Sequence, residues 1–254
     1  VEVALVQTSL SWEDPAANRV HFSRLIEPLT GRADLIVLPE MFSTGFTMSP
    51  RNIPPEEETH TLDWMRETAT RTNAAVTGSL VAREGGNYYN RLFFVEPGGA
   101  YATYDKRHTF TLAGEDRVYE RGRKRKLIQF RGFTLCPLIC YDLRFPVWSR
   151  NTEDYDLLLY VANWPAPRIA AWDTLLRARA IENMSYVLGV NRTGSDPSGH
   201  MYPGHSAVYD ALGTRLAYSE GEEILTATLS REHLSETRSA LRFLQDRDRF
   251  TLES

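Results

Sequence analysis

"LICYDLRFP", residues 138–146, drives an apolar run straight into a cysteine and a charged turn. Whether the run is strand or helix decides the fold. Upstream, "KLIQF" and "FTLCPLIC" read as two short strands joined at Arg131-Gly132, and Pro146 enforces a turn just beyond. Cys140 therefore stands at a strand end, and three uses compete for it. A free cysteine is most often a small core hydrophobe, which suits Cys136 inside "FTLCPLI". Pairing of the two cysteines fails on reach. Four strand residues cover about 13 Å at ~3.3 Å each, whereas a disulfide needs Cα atoms within ~7 Å. One zinc ion cannot bridge that gap either. The third use is attack. A nucleophile at a strand end is open to substrate, and the next backbone N–H can face a developing oxyanion.

Working outward, the chain alternates strand and helix patterns. "VEVALVQ" and "ADLIVLPE" read as buried strands, the second apolar on both faces. Between them "DPAANRVHFSRLIEPL" offers Asp14 as N-cap and Pro15 in the first turn, with Val20, Phe22, Leu25, Ile26 and Leu29 on one face. "THTLDWMRETATRTN" is helical and "AAVTGSLVA" a strand. "YYNRLFFVEP" and "AYATYDK" form a hairpin across Gly98-Gly99. "DYDLLLYVANW", "RIAAWDTLLRARAIEN" and "SYVLGVN" repeat strand, helix, strand. Three strand-like runs fill 206–229, and 231–244 reads as an amphipathic helix. No internal repeat or linker stands out. This interleaving predicts a layered α/β protein, one domain over residues 1–254.

Composition narrows the function classes. The 254 residues are 42% hydrophobic and 24% charged with net charge −4, so no global basicity calls for nucleic acid or an anionic membrane. The one basic run, "RGRKRK" (121–126), reads as a solvated loop. No stretch approaches the ~20 apolar residues of a membrane span, and "VEVALVQTSLSW" lacks the pattern of a signal peptide. The two cysteines fit a reducing cytoplasm better than a disulfide scaffold.

A thiol of pKa ~8.5 needs a base or a cation to attack at neutral pH. Glu40 closes "DLIVLPE", an acid at the edge of a Leu/Ile/Val strand, where partial desolvation suits general acid–base work. Lys106 closes "YATYDK" likewise. Glu40, Lys106 and Cys140 thus occupy three strand ends far apart in sequence, as catalytic groups of open α/β sheets do.

The blocks "LPEMFSTGF" (38–46), "YDKRHTFTLAGED" (104–116) and "LICYDLRFP" resemble the signature blocks of the nitrilase (carbon–nitrogen hydrolase) superfamily. The resemblance implies a four-layer α-β-β-α sandwich, dimerised through helices on one outer face. It also implies a Glu–Lys–Cys triad at Glu40, Lys106 and Cys140, with a second glutamate at Glu115. "YDLLLYVANWPAPR…AW…LLRARAIEN" (155–183) resembles the omega-amidase branch, which hydrolyses 2-oxoglutaramate and 2-oxosuccinamate. The similarity covers roughly residues 3–215, and the tail 245–254 is unassigned.

The implied chemistry has Lys106 lowering the thiol pKa while Glu40 takes the proton. Lys106 and the Tyr141 backbone N–H would hold the oxyanion, and Glu115 would orient Lys106 or the substrate. One carboxylate acting as base and acid requires no histidine, metal or cofactor, so His108 and His205 receive no role. The expected partner is a small amide. Phe46, Phe110, Tyr141 and Trp164 are candidate pocket walls, and Arg168 a candidate for a substrate carboxylate. Arg144 is a second candidate by position but is expected rather to pair with Asp142, and Arg177, Arg179 and Glu182 to be structural. The rivals are an N-carbamoyl amidase or nitrilase, a papain-like enzyme pairing Cys140 with a histidine, and a non-catalytic scaffold on the same fold.

Overall fold

Two hydrophobic faces per strand, rather than one, organise this chain. In a computed structural model describing residues 1–252, the first sheet collects β1 (Glu2–Gln7), β2 (Leu35–Val37), β3 (Ala75–Glu84), β4 (Asn87–Val95) and β5 (Tyr101–Asp105). Helices α1 (Pro15–Ile26) and α2 (Glu57–Thr72) are the crossovers between its parallel strands. The second sheet collects β6 (Ile128–Phe130), β7 (Phe133–Ile139), β8 (Leu157–Ala162) and β9 (Tyr186–Asn191), with α3 (Pro146–Ser149) and α4 (Ile169–Asn183) as crossovers. A small hairpin, β10 (Thr193–Ser195) and β11 (Met201–Pro203), precedes β12 (Ser206–Tyr209) and β13 (Arg215–Ser219). The chain then returns through β14 (Glu223–Thr228) to the edge of the first sheet and ends in α5 (Arg231–Leu241).

The strand orders are β14-β1-β2-β3-β4-β5 and β6-β7-β8-β9-β12-β13. Both sheets share one pattern of pairings: antiparallel, parallel, parallel, antiparallel, antiparallel. The repeat is structural only, with no counterpart legible in the sequence.

Alternation along the strands explains the layers. Val3, Leu5, Leu35 and Val37 turn into the core shared with Leu135, Leu157, Leu159 and Val161 of the second sheet. Ala4, Val6, Ile36 and Leu38 turn outward beneath Phe22 and Ile26 of α1 and Met65 and Ala69 of α2. "ADLIVLPE" is thus buried on both faces, as its apolar run predicts. On the other side α4 lies close against β9 because Gly189 is there. A Cβ at that position would sit 2.4 Å from a Leu176 methyl and 3.0 Å from the Trp172 ring. The result is the four-layer α-β-β-α sandwich that the resemblance implies.

Several local expectations change. Asp14 does cap α1, its side chain accepting from the Ala17 N–H at 2.9 Å, but Val20 is 53% exposed because it falls off the buried arc. The last helix stops at Leu241, where Arg242 takes a left-handed conformation at φ 53°. The β10–β11 hairpin has no clear signal in "TGSDPSGHMYP". The basic run lies in a loop, yet Arg125 is anchored on the carbonyls of Trp148 and Arg150 and on Glu153. Of the unassigned tail, Glu253 and Ser254 fall outside the described residues. Among the described residues, no helix is long and apolar enough to cross a membrane.

Candidate active site

The site lies where the strands of both sheets run out. Glu40 follows β2 in a turn pinned to β3, since the Met41 N–H donates to Ser79 Oγ at 2.8 Å and the Phe42 N–H to the Ser79 carbonyl at 3.2 Å. Lys106 is one residue past β5, its N–H still reaching the Asn90 carbonyl at 3.0 Å. Cys140 ends β7 with φ at 44°, a left-handed conformation unusual for a residue with a side chain. Its turn is fastened by Asp142, whose carboxylate accepts from the Ile139 N–H at 3.0 Å, the His108 N–H at 3.0 Å and the Tyr104 hydroxyl at 2.7 Å. His108 Nδ1 lies 2.8 Å from the same carboxylate, and its ring stacks on Phe145 with centroids 3.7 Å apart.

Lys106 is clasped between two carboxylates. Its Nζ donates to Glu40 Oε1 at 2.7 Å and to Glu115 Oε1 and Oε2 at 3.0 and 2.9 Å. Glu40 and Glu115 are fully buried and Lys106 is 1% exposed. Asn90 braces the pair, its Nδ2 donating to Glu40 Oε1 at 2.8 Å and Glu115 Oε1 at 3.2 Å. The Phe110 N–H adds a third donor to Glu115 at 2.5 Å. From the second sheet, the Asn163 N–H donates to Glu40 Oε2 at 2.9 Å, and Asn163 Nδ2 to the Glu40 carbonyl at 2.6 Å. Neither asparagine was singled out in the sequence. Asn163 follows β8 as Glu40 follows β2, a polar residue ending an apolar run, and that signal could have found it. Asn90 sits mid-strand in "YYNRLFF" and gives none.

The electrostatics follow from burial. Desolvation works against the Lys106 ammonium, but Glu115 and Glu40 outweigh it and lift its pKa above the ordinary lysine range. Burial pushes the Glu115 carboxyl up, with Lys106 opposing. Lys106 pulls the Cys140 pKa down, as expected, but its surroundings decide the net direction. Burial, then the Glu40 carboxylate, push the thiol well above its ordinary value, and the pull of Lys106 does not overcome them. The surroundings therefore favour the protonated thiol at rest.

A cleft of about 610 Å³ opens over this cluster, lined by Phe46, Lys106, Phe110, Cys140, Tyr141, Asn163, Trp164 and Arg168. Every sequence-picked pocket residue reaches it. Phe46 lies under the Lys106 ammonium at 5.0 Å from ring centroid to Nζ, and Arg168 lies over Phe110 at 5.1 Å. The expected Arg144–Asp142 pair does not form. Asp142 is turned inward and taken up by Tyr104, His108 and Ile139, while Arg144 lines the cleft and rests on Trp164 at 5.0 Å. Arg179 is structural as expected, pairing with Glu182 at 2.8 Å. His205, given no role, is held by Asp173 at 3.0 Å. Sequence reading missed the far rim: Trp12, Glu13, Asp196, His200 and Tyr202. The groups acting most strongly on the thiol are Glu40, Lys106 and Glu115 rather than a histidine.

Comparison with known proteins agrees with this geometry. The carbon-nitrogen hydrolase family model matches residues 2–239. An omega-amidase of Yersinia enterocolitica is 48% identical over 255 residues, covering 99% of this chain and 98% of that one. A 2-oxoglutaramate amidase of Bacillus subtilis is 32% identical, with 96% of each chain covered. A solved CN-hydrolase superfamily protein of Xanthomonas campestris, carrying an arsenic adduct in its active site, superposes with a TM-score of 0.97 at 42% identity over 100% of this chain and 99% of that one.

Proposed function

The chain belongs to the carbon–nitrogen hydrolase family, and from that premise we propose that it hydrolyses the terminal amide of short 2-oxo dicarboxylate monoamides, 2-oxoglutaramate and 2-oxosuccinamate, to the acid and ammonia. The observation that carries this reading is a lysine clasped by two buried carboxylates beneath a cleft that also presents two arginines.

Cys140 attacks the amide carbon as Glu40 takes the thiol proton, so no free thiolate is needed beforehand. The oxyanion is held by the Lys106 ammonium and the Tyr141 backbone N–H, contacts that strengthen as charge develops. Glu40 returns the proton to nitrogen, the C–N bond breaks and ammonia leaves. Water, activated by Glu40, then opens the Cys140 thioester to the acid. Glu115 holds Lys106 on station. Arg168 and Arg144, each resting on an aromatic ring, supply the positive charge that an anionic substrate end requires. Phe46, Phe110 and Trp164 give the cleft its apolar walls.

Ammonia release across 2-oxoglutaramate, 2-oxosuccinamate, neutral short amides, an N-carbamoyl amino acid and a nitrile tests this, with Cys140→Ala as control. Cys140-dependent turnover of the two keto-acid amides supports it. Turnover of the carbamoyl compound or the nitrile instead rejects it in favour of another carbon–nitrogen hydrolase.

The working form in this reading is one domain, a homodimer and cytoplasmic. The near end-to-end family match supports the first. The exposed Val147 on α3 and Ile181 on α4 support pairing through that helical layer, and the two free cysteines suit a reducing compartment.

A further inference from the structure

Asn163 is 5% exposed and lines the cleft, yet its Oδ1 is buried and has no hydrogen-bond partner among the described residues. An orphaned acceptor carries a desolvation penalty that a bound group can relieve. The orientation of this amide is fixed by its neighbours. Nδ2 donates to the Glu40 carbonyl at 2.6 Å, and a flipped amide would set two oxygens against each other there. Oδ1 is therefore an acceptor with one use left, beside the carboxylate that the proposed mechanism uses to move the proton. Asn90 also has an orphaned Oδ1, but Asn90 does not line the cleft, so no substrate reaches it.

We propose that Asn163 Oδ1 accepts a hydrogen bond from an N–H of the scissile carboxamide and so selects amides by their leaving group. The inference rests on the amide-hydrolase reading above and deepens it. A substrate nitrogen in this position faces two carbonyl-type oxygens with distinct tasks. Glu40 delivers the proton taken from Cys140, and Asn163 holds a hydrogen the nitrogen already carries. As Glu40 protonates the nitrogen it becomes cationic, its N–H groups become stronger donors, and the contact tightens as the C–N bond breaks. An ester has no N–H at its leaving atom and a nitrile has none at all. Both leave Oδ1 unsatisfied, and both are disfavoured for that reason rather than by fit.

The test compares a short linear amide with its methyl ester, assayed by ammonia and methanol release on wild type, Asn163→Ala and Asn163→Asp. Ester turnover serves as each variant's own check of folding and of the Cys140 chemistry. In Asn163→Ala the amide-to-ester ratio of kcat/KM is expected to fall about ten- to hundredfold, chiefly in kcat. Asn163→Asp keeps an acceptor but loses the donor to Glu40. It is expected to slow both substrates while holding the ratio within about threefold of wild type. Equal losses on amide and ester in Asn163→Ala, or an equally collapsed ratio in both variants, overturn the proposal by reducing Asn163 to a brace for Glu40. Should Asn163→Ala not fold, a collapsed ratio in Asn163→Asp alone overturns it and a preserved ratio supports it. If wild type released ammonia from no amide, the parent reading would fail instead.

Discussion

Replacing Glu115 by glutamine keeps the shape of the side chain and removes its charge. The carboxylate now receives four contacts from three donors: two from Lys106 Nζ at 3.0 and 2.9 Å, one from Asn90 Nδ2 at 3.2 Å and one from the Phe110 N–H at 2.5 Å. A glutamine oxygen can serve the donors on one side only, and its NH2 then opposes those on the other. At least one charge-assisted bond is lost, at about 1.5–3 kcal/mol, and breaking a buried pair outright costs about 3–5 kcal/mol. Lys106 keeps Glu40, and the trio loses the repulsion between its two carboxylates, so the lower part of that range applies, near 3 kcal/mol. If the lost energy is the energy that holds Lys106 over the oxyanion, kcat falls about a hundredfold with KM changed by less than about threefold. Steady-state ammonia release measures the split, and thermal melting measures stability alongside. A variant with wild-type kcat and an unshifted melting point would show that the placement of Lys106 does not depend on Glu115, and the account of the site would be wrong.

Three further outcomes follow from the same geometry. Because burial and Glu40 hold the Cys140 thiol above its ordinary value, its alkylation by iodoacetamide should show no titration step near pH 8.5; a sigmoidal rise centred at or below that pH would refute this. Cys136, fully buried on the face of β7 opposite Leu135, has its thiol pushed up to about 12. The unfolded thiol releases its proton near pH 8.5, so this stability is complete below that pH and is lost as pH rises toward 12, by about 1.4 kcal/mol per unit. Cys136→Ala should therefore lose about 2 kcal/mol less than wild type between pH 7.5 and 10 in urea titrations; equal losses would contradict the assignment. Arg168→Gln should raise KM for 2-oxoglutaramate about tenfold or more while barely changing that for a neutral amide of equal length, and an equal effect on both would remove it from carboxylate binding.

The residues proposed to carry the chemistry were legible because each breaks a pattern. An acid ending a Leu/Ile/Val run, a lysine ending a hairpin and a cysteine at a turn all stand out against apolar neighbours. The layers were legible too, since strands such as "ADLIVLPE" are apolar on both faces and need cover on both. What stayed hidden depends on partners distant in sequence. Arg144 and Asp142 are two residues apart and of opposite charge, yet the turn after Cys140 sends one into the cleft and the other inward. The pKa of Cys140 is set by burial and by Glu40, a hundred positions away in the chain. Asn90 is an ordinary polar residue in an alternating strand until the register of β4 with β5 places it beside Glu40 and Glu115. The repeated sheet topology leaves no trace because it constrains hydrogen-bond partners rather than side-chain identity.

The groups proposed to react straddle the seam between the sheets. Glu40 and Lys106 trail strands of one sheet and Cys140 a strand of the other, stitched together by Asn163 on Glu40 and Tyr104 on Asp142. Neither half holds a working centre, so a small relative slide parts sulfur from carboxylate while every strand remains paired. Mild urea or hydrostatic pressure should silence such a molecule before its circular dichroism changes, which makes turnover a gauge of how tightly the two leaves are closed.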